Sequence, residues 1–398
     1  MLALVIFAAT YVVIAIGRLP GLRLDRAGAA LVGASLMVAS GSLSLEEAYR
    51  AIDLDTIALL LGMMIVVANL RFAGLFHLAN HWIARHARYP LALLAGIVVV
   101  AGGLSAFLVN DTVCLILAPL IAELALALRR NPVPYLLAVA MASNIGGTAT
   151  ITGNPQNIMI GSFSRIPYGE FAAALGPVAA AGLAVLLALL VLVWRGEFLT
   201  RARLASVAPR LRWNRALLAK SLLATIGMVL FFFLGQPPAK VAIVAGSLLL
   251  LTRRIKPERV YREIDWSLLL LFAGLFIVVA GMEKTALGPE ALAYAQRVNL
   301  GSAPVLAAVA AVLSNLVSNV PAVLVLKPLV QSLADPRAAW LTLAMAATLA
   351  GNFTIPGSIA NLIVVQRARR YGIEIGFWTY FKVEAPLTVI TIGIGVWL

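Results

Sequence analysis

The 398 residues are 62% hydrophobic and 12% charged, with a mean hydropathy of +0.97, against about 25% charged for soluble domains. A soluble globular fold is excluded and an all-α polytopic membrane protein is expected. The net charge of +14 does not imply nucleic acid, because the basic residues sit in short clusters between apolar runs. A single cysteine, Cys114, excludes an internal disulfide and a multi-thiolate metal site, and only His77, His81 and His86 offer imidazole.

Residues 1–17 form an apolar run followed, not preceded, by Arg18, Arg23 and Arg26. That order is wrong for a cleaved signal peptide, so the run reads as a first span with its amino terminus outside. Spans follow at about 27–41 and 54–74, and residues 77–88 read as an interfacial helix holding all three histidines. From Pro90 two apolar arms flank Asn110 and Asp111; a polar pair at such a joint predicts a re-entrant hairpin over about 90–128. Residues 142–161, ASNIGGTATITGNPQNIMIG, then place Gly, Thr, Asn and Pro inside an apolar region. Such backbone cannot satisfy itself, at a cost of several kcal/mol per lost partner, so a broken helix over about 134–163 must line an enclosed or watered cavity. Residues 171–194 form an ordinary span, and the basic stretch 195–215 is the boundary between halves.

The second half repeats the pattern. Spans near 216–234, 240–252 and 266–282 precede the polar GPEALAYAQRVNLG, a second hairpin over about 303–334 with Ser318 and Asn319 at its joint, a second broken helix over about 338–366, and a last span to Leu398. Gly62 and Ala68 align with Gly274 and Ala280; Ser105, Asn110 and Pro119 with Ser314, Asn319 and Pro328; and Thr150, Gly153 and Asn157 with Thr354, Gly357 and Asn361. Threading the spans puts 23 of the 31 Lys and Arg on one side, which is then cytoplasmic. The first hairpin then opens inward and the second outward, so residues 1–194 and 216–398 are expected to be inverted repeats joined by a cytoplasmic linker, a pattern that points to a secondary transporter. The competing explanation, a duplicated scaffold, needs small residues for packing but not Asn, Thr and Pro at matching positions.

Asn110 and Asn319 each offer a carbonyl oxygen to a cation and an amide donor to an anion. The helix breaks free carbonyls that can hold Na+ and expose half-helix N-termini that favour negative charge. The expected substrate-binding residues are Asn110, Asp111, Thr112, Asn154, Pro155, Ser318, Asn319, Thr354 and Pro356, and the expected cation-binding residues Ser105, Asn110, Asp111, Gly146, Gly147, Ser314, Asn319 and Gly351. The hydroxyls among them also commonly bond to their own backbone. Asp111, whose repeat equivalent is Val320, is an ionisable group within a span and so marks function, as a Na+ ligand or proton carrier; the alternative is a carboxylate in a wet vestibule or tied to hairpin amides. Lys327 is expected to compensate an anion or pair with Asp111, or else to snorkel to an interface.

NDTVCLILAPL at 110–120, SNIGGTATITGNPQN, SNLVSNVPAVLVLKPL and TLAGNFTIPGSIANLIV resemble the ion transporter superfamily, in its citrate-transporter-like branch with arsenite permeases, sodium–proton antiporters and divalent anion permeases. The resemblance covers nearly the whole chain. It implies an inner-membrane carrier with two inverted repeats, re-entrant hairpins and elevator-type alternating access. In the sodium-dicarboxylate branch Ser-Asn-Thr at each tip binds sodium and carboxylate; here the tips read Val109-Asn110-Asp111 and Ser318-Asn319-Val320, so two asparagines and one serine carry over. The Asn-Asp pair is similar to that of the arsenite permease and antiporter branches, where an acidic residue suits proton or sodium coupling.

The expected function is ion-coupled transport of a small anion or oxyanion, with arsenite or antimonite efflux as the first substrate. The rivals are a carboxylate or sulfate permease, a Na+/H+ antiporter and a passive anion channel. No span holds a nucleophile–base pair, so an enzyme is not expected. No P-loop is present, so an arsenite pump would need a separate ATPase. No cofactor is expected beyond Na+ or H+ as coupling ion; the expected partners are the small ion and the bilayer, without nucleic acid, and a homodimer is left open.

Overall fold

A computed structural model describes residues 2–17, 24–200, 202–205, 213–252, 254–286 and 299–398. Much of the polar stretch from Gly288 lies outside them. Among the described residues the chain is helical, with no strand. The first half runs α1 Leu2–Ile16, α2 Arg26–Ala39, α3 Leu45–Ala51, α4 Leu54–Ala73, α5 Leu75–His86, α6 Pro90–Phe107, α7 Asn110–Ala127, α8 Pro132–Thr148, α9 Pro155–Ser164 and α10 Tyr168–Val193. After the short α11 Arg195–Phe198 the second half runs α12 Arg215–Phe233, α13 Pro238–Leu250, α14 Pro257–Tyr261, α15 Trp266–Ala286, α16 Ala303–Val317, α17 Asn319–Gln331, α18 Pro336–Ala350, α19 Ile359–Arg369 and α20 Phe377–Trp397. Six of these are long and apolar enough to cross a membrane: α4, α6, α7, α10, α12 and most of α15. The helices α1, α2 and α13, expected as spans, are shorter, at 15, 14 and 13 residues.

Local chemistry starts and stops the elements. Asn131 caps α8 and Asp335 caps α18, each just before a proline whose missing N–H costs nothing at the first helical position. Each broken helix has one turn of 3-10 helix in its gap, Ile151–Gly153 and Ile355–Gly357.

Packing repeats between the halves. Helix α4 lies along α13 and α15 along α2; a Cβ on Gly62 would stand 2.5 Å from the Ala242 backbone, and one on Gly274 2.7 Å from that of Ala30. These are the same pair of positions in each half, and small residues let the backbones touch. Likewise α6 packs on α8 as α16 packs on α18, while α7 packs on α19 and α17 on α9, so each hairpin's return arm crosses to the other half's broken helix.

Contacts between loops sort the helix ends into two groups. At one end Arg71 pairs with Glu263, Arg130 with Glu197 at 2.8 Å, and Tyr371 donates to Glu123 at 2.8 Å. At the other Arg337 pairs with Glu170, Lys284 with Glu47 at 2.7 Å, and Ser162 donates to Asp53 at 2.8 Å. The first group carries the basic clusters. In the second, the hydrogen bond from Lys284, with those from Ser44, holds the Glu47 carboxyl at about 2 instead of 4.5. Because the folded value is depressed, this tie is complete above pH 4.5 and is lost as pH falls toward 2. Local amide exchange, corrected for its intrinsic pH dependence, is expected to show α3 loosening across that acid window and not above it.

Candidate functional site

The two hairpin joints and two helix breaks meet at the centre. Each break is sealed by an asparagine one half-helix further on. Asn157 Nδ2 donates to the carbonyls of Gly147, Thr148 and Thr150 at 3.1, 3.4 and 3.0 Å, and Asn361 Nδ2 to those of Gly351 and Thr354 at 2.8 and 3.3 Å. The carbonyls freed by the breaks are therefore largely occupied by amides, although each retains a second lone pair. The halves interlock through equivalent residues. Asn144 of α8 donates to Asn352 and Asn361 at 2.8 and 3.2 Å and accepts from Ser358 at 3.2 Å; its counterpart Thr348 of α18 accepts from Asn154 and Gln156 at 3.2 and 3.1 Å and donates to Asn157.

A cavity of about 40 Å3 lies at this junction, lined by Asn110, Asp111, Pro155, Gln156, Ser318, Asn319, Val320 and Ser358, and also by Ile14, Arg26, Leu268 and Leu271. The last four sit within two turns of the ends of α1, α2 and α15 that adjoin Glu263, so the cavity lies toward the end bearing the basic loops. Asn110, Asp111, Pro155, Ser318 and Asn319 are brought together as expected from sequence. Ser318 adopts φ +79°, a conformation costly for a non-glycine residue and one found at sites whose surroundings enforce it.

The cavity is electrostatically two-sided. On one side the Asp111 carboxylate faces the N-terminus of α19, interacting with the Ala360 N–H, with Asp265 nearby. Partial positive charge at a helix start favours that placement. At the repeat-equivalent position Val320 lines the cavity beside Pro155 and Gln156 at the start of α9 and carries no carboxylate, and Arg26 adds a cation to the lining.

Beside the tips, buried oxygen acceptors recur in pairs. Among the described residues Asn110 Oδ1 and Asn319 Oδ1 have no hydrogen-bond partner, nor do the hydroxyls of Ser105 and Ser314, both fully buried. Gly147 approaches Asn110, where a Cβ would lie 3.5 Å from that residue's Cβ, and Gly351 approaches Asn319, where it would lie 3.2 Å from Nδ2. Of the residues expected to bind a cation, Ser105, Asn110, Gly147, Ser314, Asn319 and Gly351 gather here; Asp111 lines the cavity beside them, and Gly146 packs on the Gly102 backbone instead.

Other expected site residues lie elsewhere. Asn154 is fully buried, capping α9 by accepting from Asn157 N at 2.8 Å; Thr354 donates to Asn315 Oδ1 at 3.1 Å; Thr112 lies outside the cavity, and Pro356 is exposed. Lys327 is not beside Asp111. It pairs with Glu283 at 3.3 Å and lies 5.0 Å from the Phe163 ring centre, because α17 turns that face toward α15. Sequence reasoning missed Arg26, Asn144, Gln156, Asn352, Ser358 and Glu384. Of these, Glu384 carried the same signal as Asp111, an acid inside an apolar run.

The description citrate transporter matches residues 10–350. A 46 kDa membrane protein of Mycobacterium leprae is 31% identical across the whole chain and 98% of its own length. A silicon efflux transporter of rice is 30% identical over 95% of this chain and 93% of its own, and a putative transporter, arsB, of Dictyostelium discoideum is 24% identical over 94% and 87%. Among solved structures the YdaH transporter of Alcanivorax borkumensis superposes with a TM-score of 0.58 at 17% identity, over 99% of this chain and 95% of that one.

Proposed function

Because this chain belongs to the citrate transporter family, a family of multi-pass membrane transporters, we propose that it is an ion-coupled secondary transporter that exports a small inorganic oxyanion or its neutral hydroxide, arsenite or antimonite first. The observation that carries this reading is the two-sided cavity at the crossing of both helix breaks. Its volume of about 40 Å3 is that of a small cavity and suits a small ion. Asp111 on one wall repels a polycarboxylate but accepts hydrogen bonds from the hydroxyls of arsenous acid. The names of the silicon efflux and arsB relatives support a metalloid hydroxide.

In this reading Asn110, Asp111, Pro155, Ser318 and Asn319 meet the substrate, with Arg26 in the lining. The orphaned oxygens of Ser105, Asn110, Ser314 and Asn319 hold the coupling cation, Na+, or Asp111 takes a proton. Residues 1–194 and 216–398 are the inverted repeats, the hairpins and broken helices moving as an elevator past α4 and α15. The basic end faces the cytoplasm of an inner membrane, so the cavity is the inward-facing state. The family's name favours a second reading, carboxylate uptake with Arg26 as the anion anchor. Everted vesicles given arsenite, silicate, sulfate, citrate, succinate and Na+ in turn decide between them. Arsenite accumulation alone is expected; citrate or succinate accumulated instead by right-side-out vesicles, the orientation that reports uptake, would replace the first reading by the second.

A further inference from the structure

Glu384 lies on the inward face of α20, fully buried, with Tyr380 one turn before it and Thr388 one turn after. Among the described residues no hydrogen bond of ordinary geometry reaches either of its carboxyl oxygens or the Thr388 hydroxyl. The helices packed on α20 are α10, α16 and α18. Their titratable groups are Tyr168, which bonds to Thr152, and Glu170 and Arg337, which pair with each other. On α20 itself Lys382 sits 5.6 Å from the Trp194 ring centre, and Cys114 acts on Tyr380. Among the described residues no cation pairs with Glu384.

An ionised carboxylate held there without a partner is costly. The neighbour points the same way. The Tyr380 hydroxyl donates to the Asn352 carbonyl at 3.0 Å. Its one hydrogen serves either that carbonyl or the Glu384 carboxylate, with which it also interacts; while it stays on the carbonyl, a proton on the carboxyl completes the contact.

We propose that Glu384 is a proton-binding site whose occupancy is coupled to the central cavity, an inference that rests on the secondary-transport reading. The link is a chain of amides. Asn352 Oδ1 accepts from Asn144 at 2.8 Å, Asn144 Oδ1 accepts from Asn110 at 2.8 Å, and Asn110 lines the cavity. When Glu384 releases its proton to water, the carboxylate becomes an acceptor, the Tyr380 hydroxyl turns to it, and the Asn352 carbonyl loses its donor. Asn144 and Asn110 then reorient, so that the cavity registers the proton without conducting it.

The test has a spectroscopic arm and a transport arm on the full-length protein. Infrared spectra are expected to show a protonated-carboxyl C=O band that disappears in Glu384→Gln, shifts in Glu384→Asp and persists in Asp111→Asn. In proteoliposomes, arsenite accumulation driven by a pH gradient, about tenfold per unit for one coupled proton, is expected to fall to none in Glu384→Gln while arsenite exchange continues. A band that survives Glu384→Gln, or appears only when Na+ is withdrawn, overturns the proposal, as does gradient-driven accumulation at the wild-type level. Should Glu384→Gln not fold, the band in Glu384→Asp decides: a shift supports the site and an unchanged position overturns it. Should arsenite not move at all, the function reading fails while the infrared arm still decides the proton site.

Discussion

Asp111→Asn is expected to abolish ion-coupled transport while the protein still folds. The carboxylate stands on the first turn of α7 and faces the start of α19 across the junction of the two halves. Asparagine has nearly the same shape, so the hairpin joint can pack as before. The folding cost is that of a charge removed from a helix start, about 0.3–1 kcal/mol. What disappears is the one acidic group facing the cavity from a hairpin tip, hence its exchange of cation or proton during transport. Accumulation in proteoliposomes should fall to the level of empty vesicles with the thermal midpoint nearly unchanged. Full transport with unaltered pH and Na+ dependence would remove Asp111 from the mechanism.

Gly146→Ala is expected to have the larger effect on folding. A Cβ there would stand 2.5 Å from Gly102 Cα, and neither backbone can yield without separating the first hairpin from the first broken helix. Overpacking of this kind costs about 1–3 kcal/mol, here in a contact that also fixes the position of Asn110. Gly103→Ala is the control, since a Cβ at that neighbouring position meets nothing within 4 Å. The first variant should express poorly or melt well below wild type and the second should match it; equal stability of the two would contradict the close approach of α6 and α8.

Both hairpins and both helix breaks were legible because the exception is chemically loud: Asn, Gly, Pro and Thr in an otherwise apolar chain. Their meeting was legible in part, through the matched positions of Asn110 with Asn319 and Gly153 with Gly357. The sealing of the breaks was not, since a gap in a helix says which carbonyls are freed and not which side chain reaches them; Asn157 and Asn361 do so from beyond the break. Nor was the partner of Lys327, because its ion pair with Glu283 bridges two helices whose facing sides only packing sets. Arg26 stands at a helix start, where a basic residue reads as a topology signal, and only packing brings it to the cavity lining. Glu384 was as visible as Asp111; only its complete burial without partners separates it from an acid near the membrane surface.

The central claim is that the cavity serves a carrier driven by an ion gradient. The most direct measurement is arsenite content of proteoliposomes holding the purified protein, with and without an imposed H+ or Na+ gradient. Accumulation above the external concentration, collapsing when the gradient is dissipated, is expected. Equilibration to the external concentration and no further, gradient or not, would show a passive channel and contradict it.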